Sequence, residues 1–256
     1  MIGIFDSGVG GLSVFREIRK VLPEQKYIYY SDNAHCPYGE KSREYIIDRA
    51  RTITKELLSR GAEIIVVACN TATAAAIATL REEFPVKFIG MEPAIKPAAA
   101  LTRTGVVGVL ATAGTLKATK YHDTREKWAQ DVRIVEHIGE GFVELVEKGK
   151  TTGTEAEAVV EKSLRPLLDA GADTIVLGCT HYPFLSETIK KVADAYCADS
   201  NLSIDFNIID PAPAVARHLL DVMNDEGVST NDPDGFSVEL HASGDDSTLK
   251  EMYLSI

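Results

Sequence analysis

The chain has 256 residues, of which 45% are hydrophobic and 25% are charged, so it can form one large globular domain or two smaller ones. The formal net charge is −11, from 27 Lys and Arg against 38 Asp and Glu. That balance argues against nucleic acid as a partner, because nucleic-acid-binding surfaces are basic. The sequence has no apolar run as long as a membrane span and no signal-peptide pattern at its start, so we expect a soluble, cytoplasmic protein without a membrane partner.

Short apolar runs alternate with longer amphipathic stretches along the chain. The predicted strands are 2–5, 27–30, 64–68, 88–90, 106–110, 133–136, 174–177, 207–209 and 237–241. The predicted helices are 12–22, 42–60, 71–83, 93–102, 116–130, 141–148, 155–169, 184–196 and 212–224. Several runs are almost entirely β-branched or aliphatic, which is typical of strands buried on both faces of a parallel sheet. The alternation predicts an α/β protein built from βαβ units.

Two segments of the chain, 61–71 and 171–181, are near-copies of each other. Cys69 and Cys179 end the two copies at an offset of 110 residues, and the first strand resembles the strand at 106–110 at an offset of 105, from Gly3 to Gly108. The repeat predicts two half-domains with their elements in the same order. We expect the first domain to comprise 1–92 and 208–256, and the second to comprise 93–207.

Cys69 and Cys179 each follow a predicted strand and precede a helix start. Ligands bind at the carboxyl ends of strands in open parallel sheets, and the start of a helix stabilises a thiolate. A lone cysteine in such a place is usually a small buried hydrophobe, whereas two at equivalent repeat positions favour a function. If the half-domains face each other, the two thiols flank one substrate, which suits inversion of a stereocentre.

A glycine-rich turn follows the first strand, over residues 6–13. It matches neither a P-loop nor a dinucleotide fingerprint, but its backbone N–H groups suit a carboxylate. Asp6 is either a base partner, an ammonium ligand or an ordinary helix N-cap, and His181 either assists a thiol or caps a helix. A zinc site of Cys69, Cys179 and His181 fits no usual ligand spacing, and no segment indicates pyridoxal phosphate. We therefore expect neither metal nor cofactor.

Four segments carry a resemblance to a known family: DSGVGG at 6–11, PYG at 37–39, ACNTA at 68–72 and GCTHYP at 178–183. In this order they resemble the signature segments of the glutamate racemases, cofactor-independent members of the aspartate/glutamate racemase superfamily. The resemblance covers almost the whole chain and implies that glutamate is the substrate.

The resemblance also implies roles for individual residues. Cys69 would take the α-proton of D-glutamate and Cys179 that of L-glutamate, assisted by Asp6 and His181 respectively, and Glu147 would be an additional acidic site residue. The residues that would hold the substrate are Ser7, Tyr38, Gly39, Asn70, Thr71, Thr112, Thr115 and Thr180.

The segment 139–142 departs from the Cys-Pro pair that family members often have there, so Glu144 stays an alternative to Glu147. Cys36 is expected near the pocket without a catalytic part, and Cys197 is expected to have no role. Since the chain begins directly at the first strand, the resemblance implies that it lacks the N-terminal extension of members activated by a cell-wall precursor.

The repeat and the resemblance together predict the fold class as α/β, with two similar flavodoxin-like domains. The sheets are expected to be rich in parallel strands, the domains to be related by a pseudo-twofold axis, and the active site to lie in the cleft between them. The family further implies a homodimer whose D-glutamate supplies peptidoglycan synthesis. Two alternatives stay open, an aspartate racemase or other single-substrate relative, and a non-enzymatic anion-binding module.

Overall fold

The computed structural model describes residues 1–200 and 205–256. In chain order, the strands are β1 (Ile2–Asp6), β2 (Lys26–Ser31), β3 (Ile64–Val67), β4 (Lys87–Gly90), β5 (Val106–Ala111), β6 (Arg133–Ile138), β7 (Thr174–Gly178), β8 (Asn207–Ile209) and β9 (Ser237–Ala242). The α-helices are α1 (Leu12–Val21), α2 (Arg43–Ser59), α3 (Asn70–Glu83), α4 (Ile95–Leu101), α5 (Ala113–Leu116), α6 (Thr119–Trp128), α7 (Phe142–Glu147), α8 (Thr154–Asp169), α9 (Ser186–Asp199), α10 (Ala212–Asp225) and α11 (Ser247–Leu254). Short 3₁₀ turns lie at Asn33–His35, Tyr38–Glu40 and Tyr182–Leu185.

The predicted strands are all present, each to within two residues at either end. The helices differ more. The predicted helix 116–130 is two helices, α5 and α6, because Ala118 adopts an extended backbone (ψ 136°) and becomes the N-cap of α6. The last helix, α11, is missing from the prediction because its eight residues follow a turn-like acidic segment and carry a weak apolar pattern. Within the described residues, no helix has both the length and the apolar character needed to cross a membrane.

The first unit comprises Met1–Glu92 and Ala212–Ile256. Its sheet has the strand order β4-β3-β1-β2-β9, and every neighbouring pair is parallel. Helix α2 packs against α3 and helix α1 packs against α10. All four residues of β3, the run Ile-Ile-Val-Val, are buried, as expected for a central strand covered on both faces.

The second unit comprises Pro93–Pro211 and has a sheet of order β6-β5-β7-β8, again entirely parallel. Helix α8 packs against α9 and helix α4 against α6. The predicted boundary between 207 and 208 falls inside β8. Because β8 pairs with β7, with Asn207 opposite Thr174, the second unit extends to Pro211.

The two units repeat one topology. With its strands numbered from its own first one, the second sheet has the order 2-1-3-4, and the first has the same order with β9 added beside its second strand; 2-1-3-4 is the order that begins flavodoxin-like sheets. The register repeats as well, since Ile2 lies opposite Ile64 in the first unit and Val107 lies opposite Thr174 in the second. These pairs correspond through the same offsets of 105 and 110 residues that the sequence shows. The predicted pair of similar parallel α/β domains is confirmed, with β9 an addition to the first.

Candidate active site

Both predicted cysteines lie at the carboxyl edge of a sheet, beside the point where strand order reverses. In the first unit Asp6 ends β1, and Cys69 lies two residues beyond the neighbouring strand β3. In the second unit Thr112 directly follows β5, and Cys179 directly follows its neighbour β7. Such a switch point is where doubly wound sheets bind ligands. Each unit therefore presents a thiol at the position its topology favours for a site.

We call Asp6, Ser7, Tyr38, Cys69 and Asn70 the Cys69 cluster. Cys69 is the N-cap residue of α3, and its sulfur accepts a hydrogen bond of 3.4 Å from the backbone N–H of Ala72. A sulfur in this position receives an amide donor and lies at the positive end of the helix dipole. Both contributions favour the thiolate over the thiol.

A chain of hydrogen bonds joins the Cys69 thiol to a buried carboxylate. Cys69 Sγ lies 3.7 Å from Ser7 Oγ, and the Ser7 hydroxyl donates to Asp6 Oδ1 at 3.4 Å. The other oxygen, Asp6 Oδ2, accepts the backbone N–H of Gly11 at 2.7 Å. Asp6 is fully buried. The carboxylate is thus fixed to the glycine-rich turn on one side, and a proton can pass between it and the thiol through the Ser7 hydroxyl.

Further polar groups of the Cys69 cluster come from the first turn of α3 and from the 3₁₀ turn Tyr38–Glu40. Asn70 is 8% exposed, and its Oδ1 has no hydrogen-bond partner in the described parts of the chain, so it is open to a donor such as a substrate ammonium group. Thr71 is also buried beside it. Tyr38 is buried, and burial, Asp32 and the neighbouring Cys69 sulfur raise its pKa, which keeps its phenol a hydrogen-bond donor. Gly39, the next residue, is half-buried.

We call Cys179, His181, Glu147 and Tyr182 the Cys179 cluster. His181 Nδ1 lies 3.7 Å from Cys179 Sγ, and His181 Nε2 lies 2.6 Å from Glu147 Oε1. The histidine is 1% exposed, so a buried imidazole connects the thiol on one side to a half-buried carboxylate on the other. Such an arrangement lets the imidazole exchange a proton with the sulfur while the carboxylate fixes its orientation.

The surroundings of Cys179 differ from those predicted. The thiol precedes the 3₁₀ turn Tyr182–Leu185 instead of an α-helix, and α9 begins only at Ser186. Cys179 is therefore not the N-cap of an α-helix as Cys69 is, and its sulfur is paired with the His181 imidazole. Tyr182 is buried beside the same thiol. Its pKa is raised mainly by burial and, to a smaller extent, by the Cys179 sulfur. The two clusters thus assist their thiols by different chemistry.

Three threonines of the second unit were predicted to hold substrate. Thr112 is the N-cap of α5, where its Oγ1 accepts the N–H of Thr115 at 3.2 Å and its hydroxyl donates to Thr115 Oγ1 at 3.1 Å. Thr180 is 3% exposed and lies between Cys179 and His181 in the chain. Because Ala111 pairs with Gly178, Thr112 and Cys179 follow neighbouring residues at one sheet edge.

The other two cysteines differ in burial. Cys36 is half-buried at the end of the 3₁₀ turn Asn33–His35. Cys197 is buried in α9, near its C-terminal end. Cys197 belongs to neither of the two clusters defined above.

Comparison with known proteins gives a consistent result. The model of the Asp/Glu/Hydantoin racemase family matches residues 3–219. The glutamate racemase of Methylococcus capsulatus is 50% identical over 229 residues, covering 90% of this chain and 81% of that protein. The crystal structure of a glutamate racemase isoform from Bacillus anthracis has a TM-score of 0.86 at 31% identity, covering 100% of this chain and 94% of that one. The Escherichia coli glutamate racemase, solved in complex with L-glutamate and the activator UDP-MurNAc-ala, has a TM-score of 0.83 at 35% identity, covering 98% and 94%.

The chain belongs to the Asp/Glu/Hydantoin racemase family. The predicted enzyme class, an isomerase acting as a racemase, is confirmed by this membership, and so is the predicted resemblance to glutamate racemases. The structural likeness extends over both parallel α/β units.

In this racemase, sequence reasoning missed a buried ion pair behind the Cys69 cluster. Arg49 donates two hydrogen bonds to Asp32, at 2.9 and 2.7 Å, and the Tyr38 hydroxyl donates to the same carboxylate. Asp32 directly follows β2, so the rule that drew attention to Asp6 also applies to it. No sequence signal identifies Arg49, because its approach to Asp32 depends on how α2 packs. The pair anchors the phenol of Tyr38.

The ion pair makes stability depend on pH in a defined direction. Burial alone would raise the pKa of Asp32, but hydrogen bonds from Arg49 and Tyr38 outweigh it and hold the pKa below its ordinary value of 3.8. A carboxylate with a lowered folded pKa stabilises the fold above its unfolded pKa, and the contribution is lost as pH falls through the folded pKa. Asp32→Asn should lower the free energy of unfolding by about 2 kcal/mol near neutral pH, because Arg49 loses its counter-charge.

Urea unfolding of the unmodified chain and the variant, from about pH 7 to about pH 3, measures this effect. We expect the difference between them to shrink below about pH 4 as Asp32 becomes protonated in the unmodified chain. Asp48→Asn is the matched control, since Asp48 pairs with Arg51 on the exposed face of α2 and should contribute less than about 0.5 kcal/mol. A difference in the free energy of unfolding between the unmodified chain and Asp32→Asn that stays constant over the whole pH range would contradict the role of the Asp32 charge.

Proposed function

We propose that this chain interconverts L-glutamate and D-glutamate without a cofactor, by proton transfer at Cα through Cys69 and Cys179. One observation carries the proposal: two thiols occupy equivalent strand ends of a repeated topology, and each has its own buried acid–base relay. Inversion at carbon needs one proton acceptor and one proton donor on opposite faces. Two equivalent thiols with separate relays provide one group for each face.

The reaction has two proton transfers. The Cys69 thiolate removes the α-proton of D-glutamate, breaking the C–H bond and forming an S–H bond, and Cys179 then delivers its own thiol proton to the other face of Cα. The reverse sequence converts L-glutamate. Asp6, through Ser7, restores the protonation state of Cys69, and His181 does so for Cys179 with Glu147 orienting the imidazole.

Removing an α-proton without a cofactor requires strong stabilisation of the charge that develops on the substrate carboxylate. Preorganised donors in a site without water typically contribute a few kcal/mol each. We assign this task to Ser7, Tyr38, Gly39, Asn70, Thr71, Thr112, Thr115 and Thr180. Among them, Asn70 Oδ1 is suited to the substrate ammonium group, because it is buried and accepts no hydrogen bond from the residues described.

Glutamate is the proposed substrate because the similar proteins point to it. The relatives at about half identity are glutamate racemases, and the Escherichia coli structure was solved with L-glutamate bound. That protein also binds the activator UDP-MurNAc-ala, which contains a peptidoglycan sugar. We extend the proposal accordingly: the D-glutamate product supplies peptidoglycan synthesis. From the family resemblance alone, we further propose that the enzyme is cytoplasmic and acts as a homodimer.

Circular dichroism of both enantiomers of glutamate and aspartate tests the proposed substrate. We expect racemisation of either glutamate enantiomer, with a kcat/KM for aspartate at least about tenfold lower. The shorter side chain leaves buried polar groups unpaired, and each such group costs about 1–3 kcal/mol.

The same assay also tests whether the reaction needs a metal or a cofactor. Dialysis against a chelator and omission of pyridoxal phosphate should leave turnover unchanged. Equal turnover of aspartate and glutamate would transfer the chain to the aspartate branch of the superfamily. A requirement for added pyridoxal phosphate or zinc would defeat the cofactor-independent mechanism.

A further inference from the structure

Two tyrosines of β2, Tyr27 and Tyr29, look alike in the structure but contact different parts of the first unit. They are two residues apart and so share one face of the strand, and both are essentially unexposed. Both rings pack edge-on against Phe15, at centroid distances of 5.1 and 6.4 Å. Each hydroxyl donates to a backbone carbonyl. Tyr27 contacts Leu22, at the end of α1, whereas Tyr29 contacts Gly8 at 3.0 Å.

Gly8 belongs to the glycine-rich turn that carries the acid of the Cys69 cluster. The turn begins with Asp6 and Ser7 and ends at Gly11, whose N–H holds Asp6 Oδ2. The Tyr29 hydroxyl also lies against the far end of the turn, since a Cβ added at Gly11 would be 2.7 Å from it. The phenol therefore supports the turn at Gly8 and at Gly11, directly behind Asp6.

We infer that Tyr29 is a positioning residue for the Cys69 half of the reaction. Gly8 is buried, so removing the hydroxyl leaves its carbonyl without this donor and frees the turn to shift. A shift of the turn displaces Ser7 and Asp6 relative to Cys69 Sγ, and the relay between them has contacts of 3.7 and 3.4 Å that lengthen with it. Tyr29 acts through these residues without touching the substrate. The inference rests on the proposed function for its kinetic consequence, but its structural part does not.

The test is Tyr29→Phe, with Tyr27→Phe as the matched control. Each substitution removes a buried hydroxyl that donates to a backbone carbonyl, and the two tyrosines lie on the same face of β2. We therefore expect similar decreases in the urea midpoint of unfolding. Only Tyr29→Phe should lower kcat, by about tenfold, because displaced catalytic groups lose rate steeply with distance. Tyr27→Phe should stay within about twofold of the unmodified enzyme, since its hydroxyl donates to Leu22, which belongs neither to the glycine-rich turn nor to the Cys69 cluster.

Deuterium isotope effects separate positioning from simple loss of folded protein. If the Cys69 step becomes slower, removal of the α-proton from D-glutamate limits the rate more. The isotope effect with α-deuterated D-glutamate then rises, and that with α-deuterated L-glutamate falls, because reprotonation by Cys69 becomes limiting in that direction. The values of kcat/KM must fall together in both directions, since the equilibrium constant between enantiomers is fixed. Loss of folded enzyme would change neither isotope effect.

Alkylation provides a readout that needs no substrate. Iodoacetamide modification of the intact protein, followed peptide by peptide, compares Cys69 with Cys179 in the same molecule. In Tyr29→Phe we expect Cys69 to react about threefold faster or more, because the turn that places Ser7 against its sulfur opens more often. Cys179 should react at an unchanged rate, and Tyr27→Phe should change neither.

The outcomes divide clearly. The positioning role is supported by a kcat loss specific to Tyr29→Phe, with opposite changes in the two isotope effects and faster alkylation of Cys69 alone. It is overturned if Tyr29→Phe behaves like Tyr27→Phe, or if kcat falls with both isotope effects unchanged. If the unmodified chain does not racemise glutamate, the proposed function fails, and the alkylation comparison still decides the role of Tyr29.

Discussion

Replacing either Cys69 or Cys179 by alanine should abolish racemisation, with kcat at least about 1,000-fold lower, because inversion needs a thiol on each face of Cα. The two variants should nevertheless differ. With Cys69 gone, Cys179 and His181 can still exchange the α-proton of L-glutamate with solvent. With Cys179 gone, Cys69 can still exchange that of D-glutamate. Proton NMR in D₂O, run separately with each enantiomer, follows both the exchange and the racemisation.

The remaining cysteines provide controls within the same chain. Cys197 is buried in α9, so Cys197→Ala reports what loss of a buried thiol does to folding while turnover stays close to unmodified. Cys36→Ala, at a half-buried thiol, should at most weaken substrate binding. Unfolding curves for all four variants precede the assays. Near-normal racemisation by Cys69→Ala or Cys179→Ala would show that the proposed pair of thiols is wrong.

The fold was accessible from the sequence because its strongest signals are local and repeated. Central strands such as β3, made only of isoleucine and valine, are recognisable as doubly buried runs. The offsets of 105 and 110 residues located equivalent strands, and the register pairs Ile2–Ile64 and Val107–Thr174 have those same offsets. Helix ends were less accessible: the sequence prediction missed the extended backbone at Ala118 and the 3₁₀ turn before α9.

The candidate site was accessible only where a residue stands at a strand end. That rule drew attention to Cys69, Cys179 and Asp6. The partners that tune them come from distant parts of the chain: Glu147 reaches His181 across 34 residues, and Arg49 reaches Asp32 across 17. Local sequence contains no information about such distances, and Glu147 was named only through a family resemblance.

The role inferred for Tyr29 also could not be predicted from the local sequence. Its alternation with neighbouring residues identifies a strand, and its aromatic ring fits a sheet interior, so sequence reasoning assigns it to the core. The hydroxyl of Tyr29 donates to Gly8 and that of Tyr27 to Leu22, and this difference in partner gives the two residues different roles. One residue can therefore both belong to the core and position a catalytic group. The sequence pattern predicts only the core position.

His181→Asn should reduce kcat by about 100-fold, the usual scale for losing a positioned acid–base group. The imidazole stands between Cys179 Sγ and Glu147, and asparagine at this position is unable to exchange a proton with the thiol. The loss should be confined to the Cys179 step. The isotope effect with α-deuterated L-glutamate should rise and that with D-glutamate should fall, which is the reverse of the pattern expected for Tyr29→Phe.

The control for this variant is His122→Asn, an exposed histidine of α6 in the same unit, which should leave both kcat and the isotope effects unchanged. Glu147→Gln adds a graded test. It keeps a hydrogen-bonding group beside Nε2 but removes the charge that stabilises the imidazolium, so its effect should be smaller than that of His181→Asn and of the same direction in the isotope effects. If His181→Asn instead raises the isotope effect with D-glutamate, His181 assists the Cys69 step, and the assignment of one relay to each thiol must be reversed.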